Sequence, residues 1–277
     1  MRFLNSLLLL VLTCVCSLYA ATDDAAPAAM TVRHREGSVH GFLVLSTMDG
    51  APIADGDLIQ SVRRDEITAR TVFHFKDGSL QDETAVFSQG RTFHLISYHQ
   101  VQKGPSFPHP MDLSAVTATG QVTIHTTDDK GKDTVTTDHV DLPPDLANGM
   151  IPILMKNIGP GVSSMKVPLL VAAPKPRIVH LAISAQGEEP FSLAGGSRKA
   201  THYLIKIEIG GVAGALAPYV GKQPPDDDIW IMGGDLPAFV KSETLSYMGG
   251  PLWRTELTSP VWPKGSGADS KNGPGNH

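Results

Sequence analysis

From Ser38 to Leu257 the chain is cut into short runs rich in Val, Ile, Thr and Phe, separated by Gly, Pro, Asn or Asp roughly every 8–15 residues. Runs this short, bounded by residues that favour tight turns, predict strands joined by sequential hairpins. The clearest are 38–47, 56–63, 67–76, 80–88, 91–101, 111–118, 121–127, 134–140, 166–172, 177–185, 200–209, 228–232, 238–247 and 252–257. Alternation is cleanest at Tyr203, Ile205, Ile207 and Ile209 against Leu204, Lys206 and Glu208, a strand with one face on a core and the other in polar surroundings.

One segment breaks the pattern. Leu146, Met150, Ile153 and Leu154 fall at i, i+4, i+7 and i+8, one apolar stripe of a helix. A helix is therefore predicted over 144–158, capped by Asp141 or Asp145, kinked at Pro152 and stopped by Gly159-Pro160. With no second helix to pair with, it serves as a plug for the sheet. The fold class is all-β with one main helix: a curved antiparallel meander forming a half-barrel or incomplete barrel, with the helix against its concave side.

Domain organisation follows from the ends. Met1-Arg2-Phe3, an apolar run centred on Leu7 to Leu12 and a polar stretch to Ala20-Ala21 have the layout of a cleavable signal peptide over 1–20. Residues 21–37 read as a flexible N-terminal segment, 38–263 as a single β domain and 264–277 as a disordered tail. Export to the periplasm or the medium is expected. The alternative is a lipoprotein anchored through Cys14 or Cys16. Both cysteines lie in the leader, so simple cleavage leaves no thiol for a disulfide or a metal. After the leader no stretch reaches the about 20 apolar residues that span a bilayer as a helix. A formal net charge of −5 without a basic stripe speaks against a nucleic-acid partner.

Two dipeptides, Asp77-Gly78 and Gln89-Gly90, look like two-residue hairpin turns. Pairing Lys76 with Ser79 and Ser88 with Arg91 puts Ala69, Val86 and Phe93 in one inward row. The next rows are Thr71, Thr84 and Leu95, then Phe73, Asp82 and Ser97, then Phe75, Leu80 and His99. The opposite face would carry Ala85, Glu83 and Tyr98. Asp82, Ser97 and His99 then interrupt an apolar surface, and a buried carboxylate needs a partner. Phe73, Phe75, Asp82, Phe93, Leu95, Ser97 and His99, with Met150 and Leu154 from the helix, are the candidate ligand-binding residues.

Catalytic and metal chemistry finds little support. His34, Glu36 and His40 cluster without a metal-binding pattern, and no cofactor or phosphate-loop motif is present. Asp82 or Glu83 with His99 or His94 is the one carboxylate and histidine arrangement that an enzyme reading can use. Trp230, Trp253 and Trp262 lie near Phe239 and Tyr247, either closing the core or forming a rim that grips a lipid or sugar.

Three stretches carry a resemblance: Phe75-Lys-Asp-Gly-Ser79 followed by Glu83-Thr84, Lys103-Gly-Pro-Ser-Phe-Pro108, and Leu142-Pro-Pro-Asp-Leu-Ala-Asn-Gly-Met150. Together they resemble a group of exported bacterial β proteins related to the LolA-like half-barrel superfamily of outer-membrane lipoprotein carriers. That resemblance implies a curved sheet closed on one side by a helix, and an apolar cup for acyl chains. The chain departs from the carriers in having more strands, and no acyl-binding residue aligns onto it. The expected function is an exported cell-envelope protein binding a lipid or other hydrophobic molecule in that cup. Its rivals are an envelope scaffold acting through protein partners and the carboxylate and histidine enzyme.

Overall fold

The computed structural model describes residues 29–258 apart from 129, 160, 173–174, 194–195, 209–224 and 248. The expectations for the leader, the tail and Trp262 lie outside the described residues. Fourteen strands follow in order: β1 (Val39–Thr47), β2 (Pro52–Arg63), β3 (Glu66–Phe75), β4 (Leu80–Gln89), β5 (Phe93–Lys103), β6 (Met111–Val116), β7 (Gln121–Thr127), β8 (Asp133–His139), β9 (Ser164–Val171), β10 (Arg177–Leu193), β11 (Gly196–Glu208), β12 (Asp227–Met232), β13 (Ala238–Leu245) and β14 (Leu252–Thr258). Helix α1 (Ile151–Lys156) lies between β8 and β9.

All fourteen strands form one antiparallel sheet in the order β8-β7-β6-β5-β4-β3-β2-β1-β14-β13-β12-β11-β10-β9. The first and last strands meet in the middle, with Leu43 opposite Leu257 and Leu45 opposite Thr255. Both edges, β8 and β9, flank the segment that carries α1. The sheet has to curl. Val122 of β7 and Leu181 of β10 belong to one buried cluster, yet their strands are second and thirteenth in the order. On a flat sheet that separation is about 50 Å at ~4.8 Å per strand. The half-barrel predicted from sequence is the observed architecture, with the helical segment on its concave side.

The concave face holds two clusters. The larger gathers Ile67, Phe87, Phe93, Leu113, Ile183 and Ile205 around Leu146, Met150, Ile153, Leu154 and Met155. The smaller joins Leu43, Leu45, Ala54, Phe73, Phe75, Phe107 and Trp253. Each fully buried side chain of this size contributes about 1.5–3 kcal/mol.

Register departs from expectation at three places. At Asp77-Gly78 the N–H of Gly78 donates to Phe75 O at 3.1 Å, the N–H of Phe75 donates to Ser79 O at 3.0 Å, and Gly78 sits at φ +85°. This is a type I turn followed by a left-handed residue, one residue longer than the expected turn. A one-residue slip exchanges the faces of the following strand. Ala69 therefore faces Ala85 and not Val86, and Ala85, Phe87 and Gln89 are the buried positions of β4. In β5, Phe87 pairs with Leu95 while Val86 pairs with Ser97, leaving Ile96 as a bulge. At the second turn Ser88 pairs with His94 and not Arg91, a three-residue change that keeps Phe93 and Leu95 inward, but beyond the bulge Tyr98 and Gln102 take the buried positions and His99 is exposed.

The helix is shorter than 144–158. Gly149 at φ +67° cannot continue a helix, so 141–150 runs as turns. Pro152 falls in the first turn of α1, where its missing N–H costs nothing, and the expected kink does not arise.

Candidate functional site

The concave side is occupied by the chain itself. Asn148 acts as a surrogate strand residue for the β9 edge: its Nδ2 donates to Leu170 O at 2.9 Å and its Oδ1 accepts from Leu170 N at 2.8 Å. The N–H of Ala147 adds a bond to Pro168 O at 2.9 Å. Gly149 seats the segment on the opposite wall, against Ala85 and the Tyr98 ring. Beyond it, Met150, Leu154 and Met155 are at most 3% exposed.

The far end of the plug is tied to the N-terminal segment. Buried Asn157 donates to Ile153 O at 2.8 Å and accepts the N–H groups of Arg33 and His34 at 2.8 and 2.7 Å. Lys156 and Glu36 form an ion pair at 2.7 Å, with side chains 15% and 7% exposed. Gln60 donates to the same carboxylate oxygen of Glu36, while Gln89 accepts the Glu36 N–H and donates to its carbonyl. Residues 30–36, expected from composition to be a loose lead-in, are thus bonded to the plug and the barrel wall.

The nine candidate residues divide into three groups. Phe93, Leu95, Met150 and Leu154 come together in the larger cluster. Phe73 and Phe75 are buried in the smaller one, where Phe75 packs on Trp253 with 5.2 Å between ring centroids. Asp82, Ser97 and His99 lie on the other face, a correction that follows from the first turn for Asp82 and from the bulge for Ser97 and His99. Asp82 accepts two bonds from Arg70, at 2.8 and 2.5 Å, and these hold its carboxyl below the ordinary range. His99 bonds Asp112 at 2.8 Å. The residues of the enzyme reading are thus separately engaged: Glu83 accepts the Tyr98 hydroxyl at 2.6 Å and His94 meets Thr92 at 2.7 Å. Burial raises the Glu83 carboxyl, so Glu83 and Tyr98 form a polar spot on the concave face beside Asn148. Alternation pointed to Asp82 for that role, and the actual carboxylate is its neighbour.

His34, Glu36 and His40 face three separate partners, Asn157, Lys156 and Asp57. Trp253 closes the smaller cluster. Trp230 pairs in register with Lys241 and His202, on the side of β12 opposite Ile229 and Ile231.

No family model matches the chain, and no curated protein matches it. Among solved structures it is similar to a β-barrel-like protein of a domain of unknown function, DUF1849, from Brucella abortus, at 10% identity over 83% of this chain and 100% of that one, with a TM-score of 0.45. It is also similar to the hypothetical lipoprotein YmcC from Escherichia coli, at 12% identity over 81% of this chain and 86% of that one, with a TM-score of 0.36.

The two sheet edges differ. On β9, Asn148 and Ala147 use the free backbone groups, and Pro168 removes one donor. On β8 all seven residues are exposed, and Val135 stands 56% exposed. Among the described residues the strand has one hydrogen-bonded neighbour, β7, and buries neither face.

Near β12 a second carboxylate is perturbed. Burial raises Asp227 to about 6, helped by Asp228 and Asp226 and opposed by the N–H of Leu245, which it accepts at 2.9 Å. Because the folded state holds this proton more tightly than the unfolded chain, the contribution is present below about pH 4 and is lost as pH rises through 6. Asp227→Asn keeps an oxygen for Leu245. It is expected to gain about 1–2 kcal/mol at pH 7.5 and nothing at pH 3.5, measured by urea unfolding across that range.

Proposed function

We propose that the chain is an exported cell-envelope protein that works as a scaffold, taking an extended segment of a protein partner onto the open edge of β8. The observation that carries this is the contrast between a concave side filled by its own plug and an edge strand, β8, that has a neighbour on one side alone among the described residues. Strand addition supplies main-chain hydrogen bonds in register, and a strand that buries neither face gains most from a second neighbour. Export rests on the leader read from residues 1–20.

The test is cross-linking in intact envelopes through a photoreactive residue at 135, in the parent chain and in Thr136→Lys. One stoichiometric partner is expected in the parent, and the Lys variant loses it while its unfolding midpoint stays within the range of surface changes, about 0.5 kcal/mol. Capture that ignores Thr136→Lys would count against the edge.

A second reading keeps the cup for a lipid or other hydrophobic molecule, with the plug as a lid. Its support is the pair Met150 and Met155 at the plug's buried face, side chains that adapt to varied apolar shapes. Native mass spectrometry after mild purification decides it: co-purified lipid would favour the lid, and bare protein the scaffold.

A further inference from the structure

A cleft of about 360 Å³ lies apart from the plug, where the β10–β11 hairpin runs past the end of β12. Pairing of β11 with β12 stops at Ala200 and Met232, whereas β10 and β11 continue together to Leu193 and Gly196. Phe191 from the hairpin, Trp230 and Met232 from β12, Phe239 and Val240 from β13 and Leu257 from β14 wall the space. Glu189, Lys241 and Glu256 add charge to the lining, and Ser192 adds a hydroxyl.

Trp230 shows what the cleft can accept. Its ring stacks on His202 with 4.5 Å between centroids and 5° between planes, and Lys241 Nζ lies 3.6 Å from the ring centroid. The indole N–H donates to Glu189 at 2.9 Å. His202 is held in turn by Glu189 at 3.1 Å and by Asp228 at 2.6 Å, and Lys241 by Glu243 at 3.3 Å. Trp230 therefore has no free platform for a sugar ring and no spare donor, and Lys241 beside it is already paired. What remains for a ligand is the part-exposed apolar surface of Phe191, Met232, Phe239, Val240 and Leu257. Such a surface selects an apolar group with no polar atom to satisfy.

Size and surroundings narrow the choice. A methylene is about as large as a water, which takes ~30 Å³ in the liquid, so this open cleft has room for at most about twelve. In the turn from Met232 to Ala238, both of which line the cleft, Leu236 is 85% exposed, an apolar side chain held out in water. We propose that this cleft binds a single alkyl chain of up to about twelve carbons, leaving the polar head of the amphiphile outside in water.

The test uses the full mature chain with dodecanoate carrying a diazirine on its alkyl chain, followed by mass-spectrometric mapping. Label is expected on peptides spanning 189–192 and 230–241, reduced about tenfold or more by Ala238→Trp, which fills the cleft, and by Phe191→Asp. Phe191 sits part-exposed on the hairpin, so that variant leaves the core intact. Label confined to 146–155, label insensitive to both variants, or none at millimolar probe would overturn the site. A second arm presents the same photoreactive chain within phosphatidylglycerol vesicles. Labelling from free dodecanoate identifies a soluble amphiphile as sufficient. Labelling from vesicles alone, abolished by Leu236→Asp, identifies a bilayer as the source. Thr136→Lys on β8 leaves either result unchanged, which separates this site from the edge-strand scaffold.

Discussion

Gly149→Val is expected to lower the stability of the protein by about 4 kcal/mol, a large share of the roughly 5–15 kcal/mol that keeps a domain folded. Two effects add. Gly149 adopts φ +67°, a region that a β-branched residue enters at a cost of about 1–3 kcal/mol. A Cβ there would also stand 2.7 Å from the Cβ of Ala85 and 3.4 Å from the Tyr98 ring, and overpacking of this kind costs about 1–3 kcal/mol. The check is the urea midpoint at constant m-value. Gly149→Ala combined with Ala85→Gly separates the terms, because the double variant relieves the collision and keeps the backbone strain.

Asn157→Ala is expected to cost about 3 kcal/mol. It removes the acceptor of two backbone N–H groups, Arg33 and His34, and the donor to Ile153 O, at a position 1% exposed. Its effect is also local. With the N-terminal segment released, trypsin should cut at Arg33 and Arg35 in the native protein much faster than in the parent chain, before any cleavage within the strands. Equal rates of cutting would mean that the segment is held elsewhere.

Both variants lie on a segment whose presence the sequence announces and whose form it conceals. The stripe of Leu146, Met150, Ile153 and Leu154 marks a buried element, and those four residues are buried together. Their spacing cannot show that Gly149 is left-handed, or that Asn148 finishes a strand 22 residues away. Side-chain bonds to distant backbone depend on the fold being complete. The strands themselves were legible because each is local, bounded by turn residues and alternating.

Register was not legible, for a specific reason. An Asp-Gly pair suits both the two-residue turn and the longer type I turn with a left-handed glycine, and the two place β4 one residue apart. Alternation within β4 does not choose between them, since Leu80, Thr84 and Val86 are no less apolar than Gln81, Ala85 and Phe87. The bulge at Ile96 adds a second reversal, with no glycine or proline to signal it. Asp82, Ser97 and His99 moved to the outer face through these two steps, while Phe73 and Phe75, upstream of both, kept their place. The cleft beside Trp230 escaped for the same kind of reason, being formed by three hairpins whose overlap depends on strand lengths.

The most direct measurement is thiol labelling at position 150. Cys14 and Cys16 are the cysteines of the sequence and both precede residue 21, so Met150→Cys in a chain lacking 1–20 gives a single thiol on the buried side of the plug. A concave side filled by its own segment predicts labelling under native conditions more than about a thousandfold slower than in urea, at a rate that tracks global unfolding. Labelling near the unfolded rate, or slowed when dodecanoate is added, would contradict it and return the concave side to an open cup.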